Sequence, residues 1–321
     1  MLNQIRIIAS IGFLIILGYS SLWFTVAFEF EDQAAEELST LRNIGMHVSY
    51  DDISLGGFPY RIALKISDLE ITDPNKGYQY SSVSTEIVTH LWTPQHYVLQ
   101  AEEVEASLFN GKLKLKDDYA RASYRHTDDD KIIIAADSYT NDDISILKAP
   151  NLLQTTGLNE WQVFLRMHKT PLAPASSLYE DRFVDFKIVL GGSKGNIEAI
   201  GGVSGKPVYS WNKTNLSEWR DSGGLLTLDA INFSLGGAKL EGNGSLTLDE
   251  KLKLLGSLGF KTRRNLTDQH YARLNRFLKA NHIQNFTLTP QALKAPLGLT
   301  FQNGQLAIGN QTLQSINSVI D

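Results

Sequence analysis

No cysteine occurs anywhere in the sequence. Disulfides, thiolate nucleophiles and cysteine-based zinc sites are therefore excluded outright, and the absence fits an oxidising compartment, where stray thiols are a liability. Long Lys/Arg runs are missing too, and the net charge is −5. Nucleic acid is thus not an expected partner, because phosphate binding needs a concentrated basic surface. Charged residues are only 20% of the chain against 42% hydrophobic ones, which excludes a disordered chain. No Gly/Ser- or Pro-rich linker is long enough to divide domains. The best seam is the loop-like "TPLAPASSLYEDR" at residues 170–182.

The usual chemical signatures are also absent or broken. The seven histidines, His47, His90, His96, His126, His168, His270 and His282, form no H-E-x-x-H or other close ligand pair. Asp128-Asp129-Asp130 and Asp142-Asp143 lack the one-residue spacing and glycine turn of a calcium loop, and read as solvated turn carboxylates. "GGVSGKP" at 201–207 resembles a phosphate loop. However, Ile200 stands where its first glycine belongs, and Pro207 where the magnesium-binding hydroxyl belongs. "GGSKG" at 191–195 matches G-x-S-x-G with Ser193 as nucleophile. A nucleophile elbow needs a helix after it, and the glycine-broken "NIEAIGGVSG" that follows reads as a strand. No catalytic, cofactor-binding or metal-binding residue is assigned, and no enzymatic activity is expected.

One long hydrophobic run is present. From Ile7 to Phe28 there is no charged residue; at about 1.5 Å per helical residue the run spans roughly 33 Å, the thickness of a bilayer core. Arg6 precedes it and Glu29, Glu31 and Asp32 follow, so the positive-inside rule places the N-terminus in the cytoplasm and the bulk of the chain outside it. Tyr19, Trp23 and Phe24 lie where an aromatic belt would. The rival is a cleaved signal peptide, but its apolar region runs ~7–15 residues, and "TVA" (Thr25–Ala27) is a poor cleavage site. A retained single-pass anchor is expected. The Ala/Glu/Leu-rich stretch after it predicts a stalk helix ended by Gly45.

Beyond Gly45 the hydrophobic period becomes two. Tyr60, Ile62, Leu64 and Ile66 alternate with polar or small residues, as do Leu113 and Leu115 in "KLKLK". So do Ala238, Leu240, Leu246 and Leu248, and Leu297, Leu299 and Phe301 before Asn303-Gly304. Strict alternation predicts half-buried strands, and Asn-Gly between two of them a hairpin. "ISLGGFPYRIAL" (53–64) reads likewise, with Gly56-Gly57 as a tight turn; "INFSLGGAKLEG" (231–242) echoes it. Two helices are predicted, a short one in "NLSEWRDSGG" (215–224) anchored by Trp219, and one over 267–283 with an apolar stripe at Tyr271, Leu274, Phe277 and Leu278. The expected fold is mainly β with few helices: a membrane anchor and stalk over 1–45, then a large, curved antiparallel sheet over 46–321.

The anchor, "GFPYR" (57–61), "APNLL" (149–153), the stretch from "SEWRDSGG" to "KLLGSL" (217–258) and the closing F-x-N-G-x-L-x-I-G (301–309) together resemble the bacterial membrane-anchored domain-of-unknown-function family 2125. Its paired strands are similar to those of AsmA-like envelope proteins, whose curved sheets are thought to hold lipid acyl chains. The resemblance implies an inner-membrane protein facing the periplasm. It supplies no activity, cofactor or catalytic residue.

Trp92, Trp161, Trp211 and Trp219 read as packing. Leu235, Leu240, Leu246 and Leu248 are the candidate lining of a lipid groove if the sheet stays open, and core if it closes. Three readings follow: lipid binding or passage along that groove, a closed envelope module that docks a protein partner, and a hydrolase using Ser193.

Overall fold

A computed structural model describes residues 2–74, 77–108, 113–127, 129, 131–138, 145–148, 158–168, 182–193, 195–208, 212–262, 265–280, 283, 286–293, 296–309 and 311–319. The "APNLL" stretch, Asp128, Asp130, Asp142, Asp143, Trp211 and His282 lie outside them, as does the expected seam apart from Arg182. The fold is an N-terminal apolar helix followed by antiparallel sheet, as the change of hydrophobic period predicts. The chain divides into two compact units, residues 1–111 with 116–125, and 112–115 with 126–321. The division falls within a single strand, so no linker composition marks it.

In the first unit, helix α1 runs from Leu2 to Asn43 and is long and apolar enough to cross a membrane. Gly45, at φ +94°, ends it as expected. Strands β1 (His47–Ser49) and β2 (Asp52–Gly56) pair with successive stretches of one edge of β3 (Ile62–Asp73). Strand β4 (Tyr78–His90) pairs with the other edge, and β5 (Thr93–Leu108) with β4. Most of β6 (Leu113–His126) also belongs here. The alternating Ile62, Leu64 and Ile66 are buried. What covers them is the expected stalk. Ala27 and Leu38 of α1 are buried against this face, with Phe30, Ala34 and Leu41 beside them. The second half of α1 therefore packs on the sheet rather than standing clear of it, because the uncovered strand face would leave an apolar stripe in water.

The "GGFPYR" turn also departs from expectation. Gly56 is still in β2, paired with Ala63, and only Gly57 takes a positive φ, +94°. The turn runs from Gly57 to Arg61, whose N–H donates to the Gly57 carbonyl at 3.0 Å. Tyr60, expected on the buried face, is exposed in it. The second Ser-Leu-Gly-Gly does make the tight form. Gly236 (φ +55°) and Gly237 (φ +91°) join the paired residues Leu235 and Ala238, as a two-residue turn of this hand requires.

The second unit holds β7 (Lys131–Ser138), β8 (Ser145–Lys148), β9 (Leu158–His168), β10 (Arg182–Gly192), β11 (Gly195–Ser204), β12 (Leu225–Leu235), β13 (Ala238–Leu248), β14 (Leu254–Thr262), β15 (Leu297–Gln302), β16 (Gln305–Ile308) and β17 (Gln311–Ser315). Strand β7 pairs with β9, and from β9 to β17 each strand pairs antiparallel with the next. Helix α2 (Lys213–Asp221) precedes β12, and α3 (Asp268–Ala280) precedes β15.

Register makes this sheet amphipathic. One face carries, in opposed positions, Ile134, Leu165, Phe186, Gly201, Leu228, Gly244, Leu258 and Leu299, one from each strand from β7 to β15 apart from β8. The other carries Lys187, Glu198, Asn232, Glu241 and Lys261. On the apolar face Ile134, Leu165, Phe186 and Ile188 stay half-buried.

Candidate functional site

The four candidate groove leucines all lie on the apolar face of β12 and β13, yet the structure separates them. Leu235 and Leu240 belong to a core covered by α3, where Leu235 and Ala238 are buried with Leu274 and Leu288, and Phe233 meets Phe277 at 5.5 Å between ring centroids. Asn275 ties the cover down: its side chain accepts from the Leu288 N–H at 2.7 Å and donates to the Leu288 carbonyl at 2.9 Å. Leu246 and Leu248, at the opposite end of β13, do face a cavity.

That cavity has a volume of ≈ 380 Å³ and is walled by Leu246, Leu248, Leu226, Val203, Phe183 and Leu254, with Leu216 and Trp219 above, Val208 and Val319 beside them, and Thr247 at its rim. Strand pairing sets the floor, since Leu226 lies opposite both Leu246 and Val203, and Leu254 opposite Leu248. Helix α2 supplies the roof. Asn212 caps it, accepting from the Asn215 N–H at 2.9 Å, and Leu216 and Trp219, three apart, fall on the face that meets the sheet. A Cβ at Gly224 would stand 2.3 Å from the Trp219 ring, so a glycine there lets the indole lie against the chain leaving the helix.

The polar groups nearest the cavity are spent on the backbone. The Trp219 indole N–H donates to the Ser204 carbonyl at 2.8 Å, and the Thr247 hydroxyl to the Gly224 carbonyl at 2.6 Å. Among the described residues no side-chain polar group in this wall remains to hold water or a polar substrate, and a cavity of that kind stays dry and accepts apolar ligands. Its volume lies at the low end of the small-ligand range, about 300–1,000 Å³.

A second polar arrangement lies on the opposite face. The buried Arg182 guanidinium reaches over Gly202, where a Cβ would come within 2.4 Å of the arginine Cδ, and makes a two-pronged pair with Asp229 at 2.8 and 2.7 Å. Asp229 is available there because β12 bulges between Leu228 and Ile231. Asp185 lies 3.6 Å from Arg182 and accepts from His168 Nε2–H at 3.1 Å. Further along, Lys187 pairs with Glu198 at 2.9 Å, and Asn232 donates to the same carboxylate at 2.9 Å. The Lys187 bond first, and then the Asn232 bond, hold the Glu198 carboxyl below its ordinary value. A depressed carboxylate stabilises the fold fully above its unfolded pKa, and that contribution is lost as pH falls through the lower folded value. In a carbon-detected NMR titration Glu198 is therefore expected to protonate below the ordinary glutamate range, and Lys187→Met to raise its midpoint.

Ser193 sits exposed in the turn between β10 and β11, and strand β11 follows it instead of a helix. The His168–Asp185 pair lies toward the other end of β10, more than about 20 Å away at the rise of a strand, so the structure does not bring these groups together. Among the described residues no cluster of three His, Asp or Glu side chains could hold a metal ion. Ile7 and Phe28, the expected ends of the membrane span, are both exposed on α1.

With this geometry established, comparison with known sequences places the chain. A family model described as "Uncharacterized protein conserved in bacteria (DUF2125)" matches residues 23–312. The chain belongs to this family. The match begins at Trp23, where α1 becomes buried on the sheet, and ends within β17. No curated protein and no solved structure matches the chain.

Sequence reasoning missed α2 as the roof that distinguishes one end of β13 from the other. Nothing in the alternation of β13 differs between its two ends. The available signal was the closely spaced pair Leu216 and Trp219 immediately before the Gly-Gly.

Proposed function

We propose that this protein is a single-pass inner-membrane protein, N-terminus in the cytoplasm, whose β region binds the apolar part of a lipid in the periplasm as part of envelope maintenance. The reading extends the likeness to AsmA-like sheets drawn from the sequence. The observation that carries it is the cavity beneath α2, with apolar walls and its two nearest polar side chains already bonded to backbone carbonyls. Such a site gives a hydrocarbon chain a dry environment and gives a polar substrate no partner. The half-buried apolar face continuing toward β7 supplies further surface of the same kind.

The test uses the full chain in vesicles of phosphatidylethanolamine and phosphatidylglycerol carrying a phospholipid with a photoreactive acyl chain. Adducts are expected on peptides covering Val203–Leu226 and Leu246–Leu254, besides those on α1. Adducts confined to the first unit would reject lipid binding and favour a closed module that docks a protein partner.

A further inference from the structure

The β2–β3 and β4–β5 turns converge on the same stretch of α1. The Trp23 indole N–H donates to the Arg61 carbonyl at 3.2 Å, and the Tyr19 hydroxyl to the Pro59 carbonyl. Phe58 stacks on Phe24 at 5.8 Å and meets Trp23 edge-on at 5.3 Å. From the other turn, Leu91 packs against the cluster that Trp23 and Ala27 form with Ile62. His90 stacks on Trp92 at 5.1 Å and donates from Nδ1 to the Tyr60 carbonyl at 3.1 Å.

We propose that these two turns form a foot that sits in the headgroup layer of the membrane α1 crosses, so that the first unit meets the bilayer through Phe58, Tyr60 and Trp92 as well as through its helix. The inference rests on the reading that α1 spans the membrane. Depth is the first argument. The uncharged run of α1 ends only at Glu29, yet the turn meets the helix between Tyr19 and Phe24. That is roughly 7–15 Å of helical rise earlier. With Glu29 at the water-facing side of the headgroup layer, which is about 5–8 Å deep, the turn tips reach through that layer to its boundary with the hydrocarbon.

Composition is the second argument. Phe58, Tyr60 and Trp92 are 48%, 77% and 63% exposed, a concentration of large aromatics at two hairpin tips that is costly in water and is the residue class enriched at membrane interfaces. They continue the exposed apolar surface of α1, which includes Leu22, Phe24 and Phe28.

Backbone bonding is the third. Non-helical chain near hydrocarbon needs its polar groups satisfied by protein. Here the carbonyls of Gly57, Pro59, Tyr60 and Arg61 accept from Arg61 N–H, Tyr19, His90 and Trp23. An ordinary water-facing turn has no need of three side-chain donors.

The absence of native cysteine allows single spin labels. Ile15→Cys, Tyr60→Cys, Trp92→Cys and Glu70→Cys are labelled separately in the full chain. Each is reconstituted in vesicles of phosphatidylethanolamine and phosphatidylglycerol, and relaxation by oxygen is compared with relaxation by an aqueous nickel chelate. The labels at 60 and 92 are expected to show a several-fold loss of collision with the chelate relative to the exposed Glu70 position, with Ile15 the most oxygen-accessible. In the unlabelled chain, Trp92→Phe is expected to remove part of the tryptophan emission quenched by lipids brominated near the headgroup. Chelate access at 60 and 92 equal to that at 70, with Ile15 embedded, would overturn the foot and leave the span intact. Chelate access at Ile15 would overturn the span itself.

Discussion

Leu246→Trp is expected to lower photoadduct yield on the peptides around the α2 cavity at least tenfold, with adducts on α1 unchanged. Leu246 is buried at the floor of the cavity, opposite Leu226 in register, with Val203 beyond it. An indole there projects into the space that an acyl chain would occupy. Tenfold weaker binding corresponds to about 1.4 kcal/mol, the scale of one lost apolar contact surface. Overpacking costs ~1–3 kcal/mol in a filled core, but a side chain entering a cavity displaces no protein neighbour, so folding is expected to survive. Leu235→Trp makes the contrast. Leu235 is packed among Ala238, Leu274 and Leu288 beneath α3, so the same change there is expected to loosen the fold and leave adducts near α2 in place. Mapping both variants by mass spectrometry separates a ligand-bearing cavity from ordinary core, and equal adduct yields in wild type and Leu246→Trp would remove the support for lipid binding at this site.

Arg182→Leu is expected to be the most destabilising exchange on the polar face. Removing one partner of a fully buried pair costs about 3–5 kcal/mol, because the other charge is left desolvated. The Asp229 side chain keeps 30% of its exposure, which brings the expectation to about 2–4 kcal/mol. Hydrogen exchange in β10–β12 should accelerate roughly 30- to 1,000-fold. Arg182→Leu combined with Asp229→Leu should recover much of the loss, since two apolar groups leave no orphaned charge. Failure of the double variant to recover would show that Arg182 acts chiefly through Asp185, 3.6 Å away.

Much of the architecture was readable from residue order. The long apolar N-terminal helix, its stop at Gly45, the Asn303-Gly304 hairpin and the apolar stripe of α3 each follow from a local rule, and each appears where that rule puts it. The site was readable only in part. Alternation placed Leu235, Leu240, Leu246 and Leu248 on one face, but it carries no information about which stretch of that face a helix will cover. The "GGFPYR" turn was visible as a turn, while its bonds to α1 depend on residues about forty positions away. Likewise, nothing near Arg182 announces Asp229, because the pairing depends on a bulge in β12 and on the empty side of Gly202.

The sequence by itself determined periodicity and polarity: one apolar helix, strands with one oily side, and turns where glycine permits a positive φ. These are properties of neighbours along the chain, acting over a few residues. Tertiary structure alone decided that the second half of α1 roofs its own sheet, that α3 seals one end of β13 while α2 encloses a cavity at the other, and that two aromatic turns gather around Trp23. Those outcomes depend on which surfaces meet and how much volume is left between them, and packing volume is fixed only when distant segments are brought together.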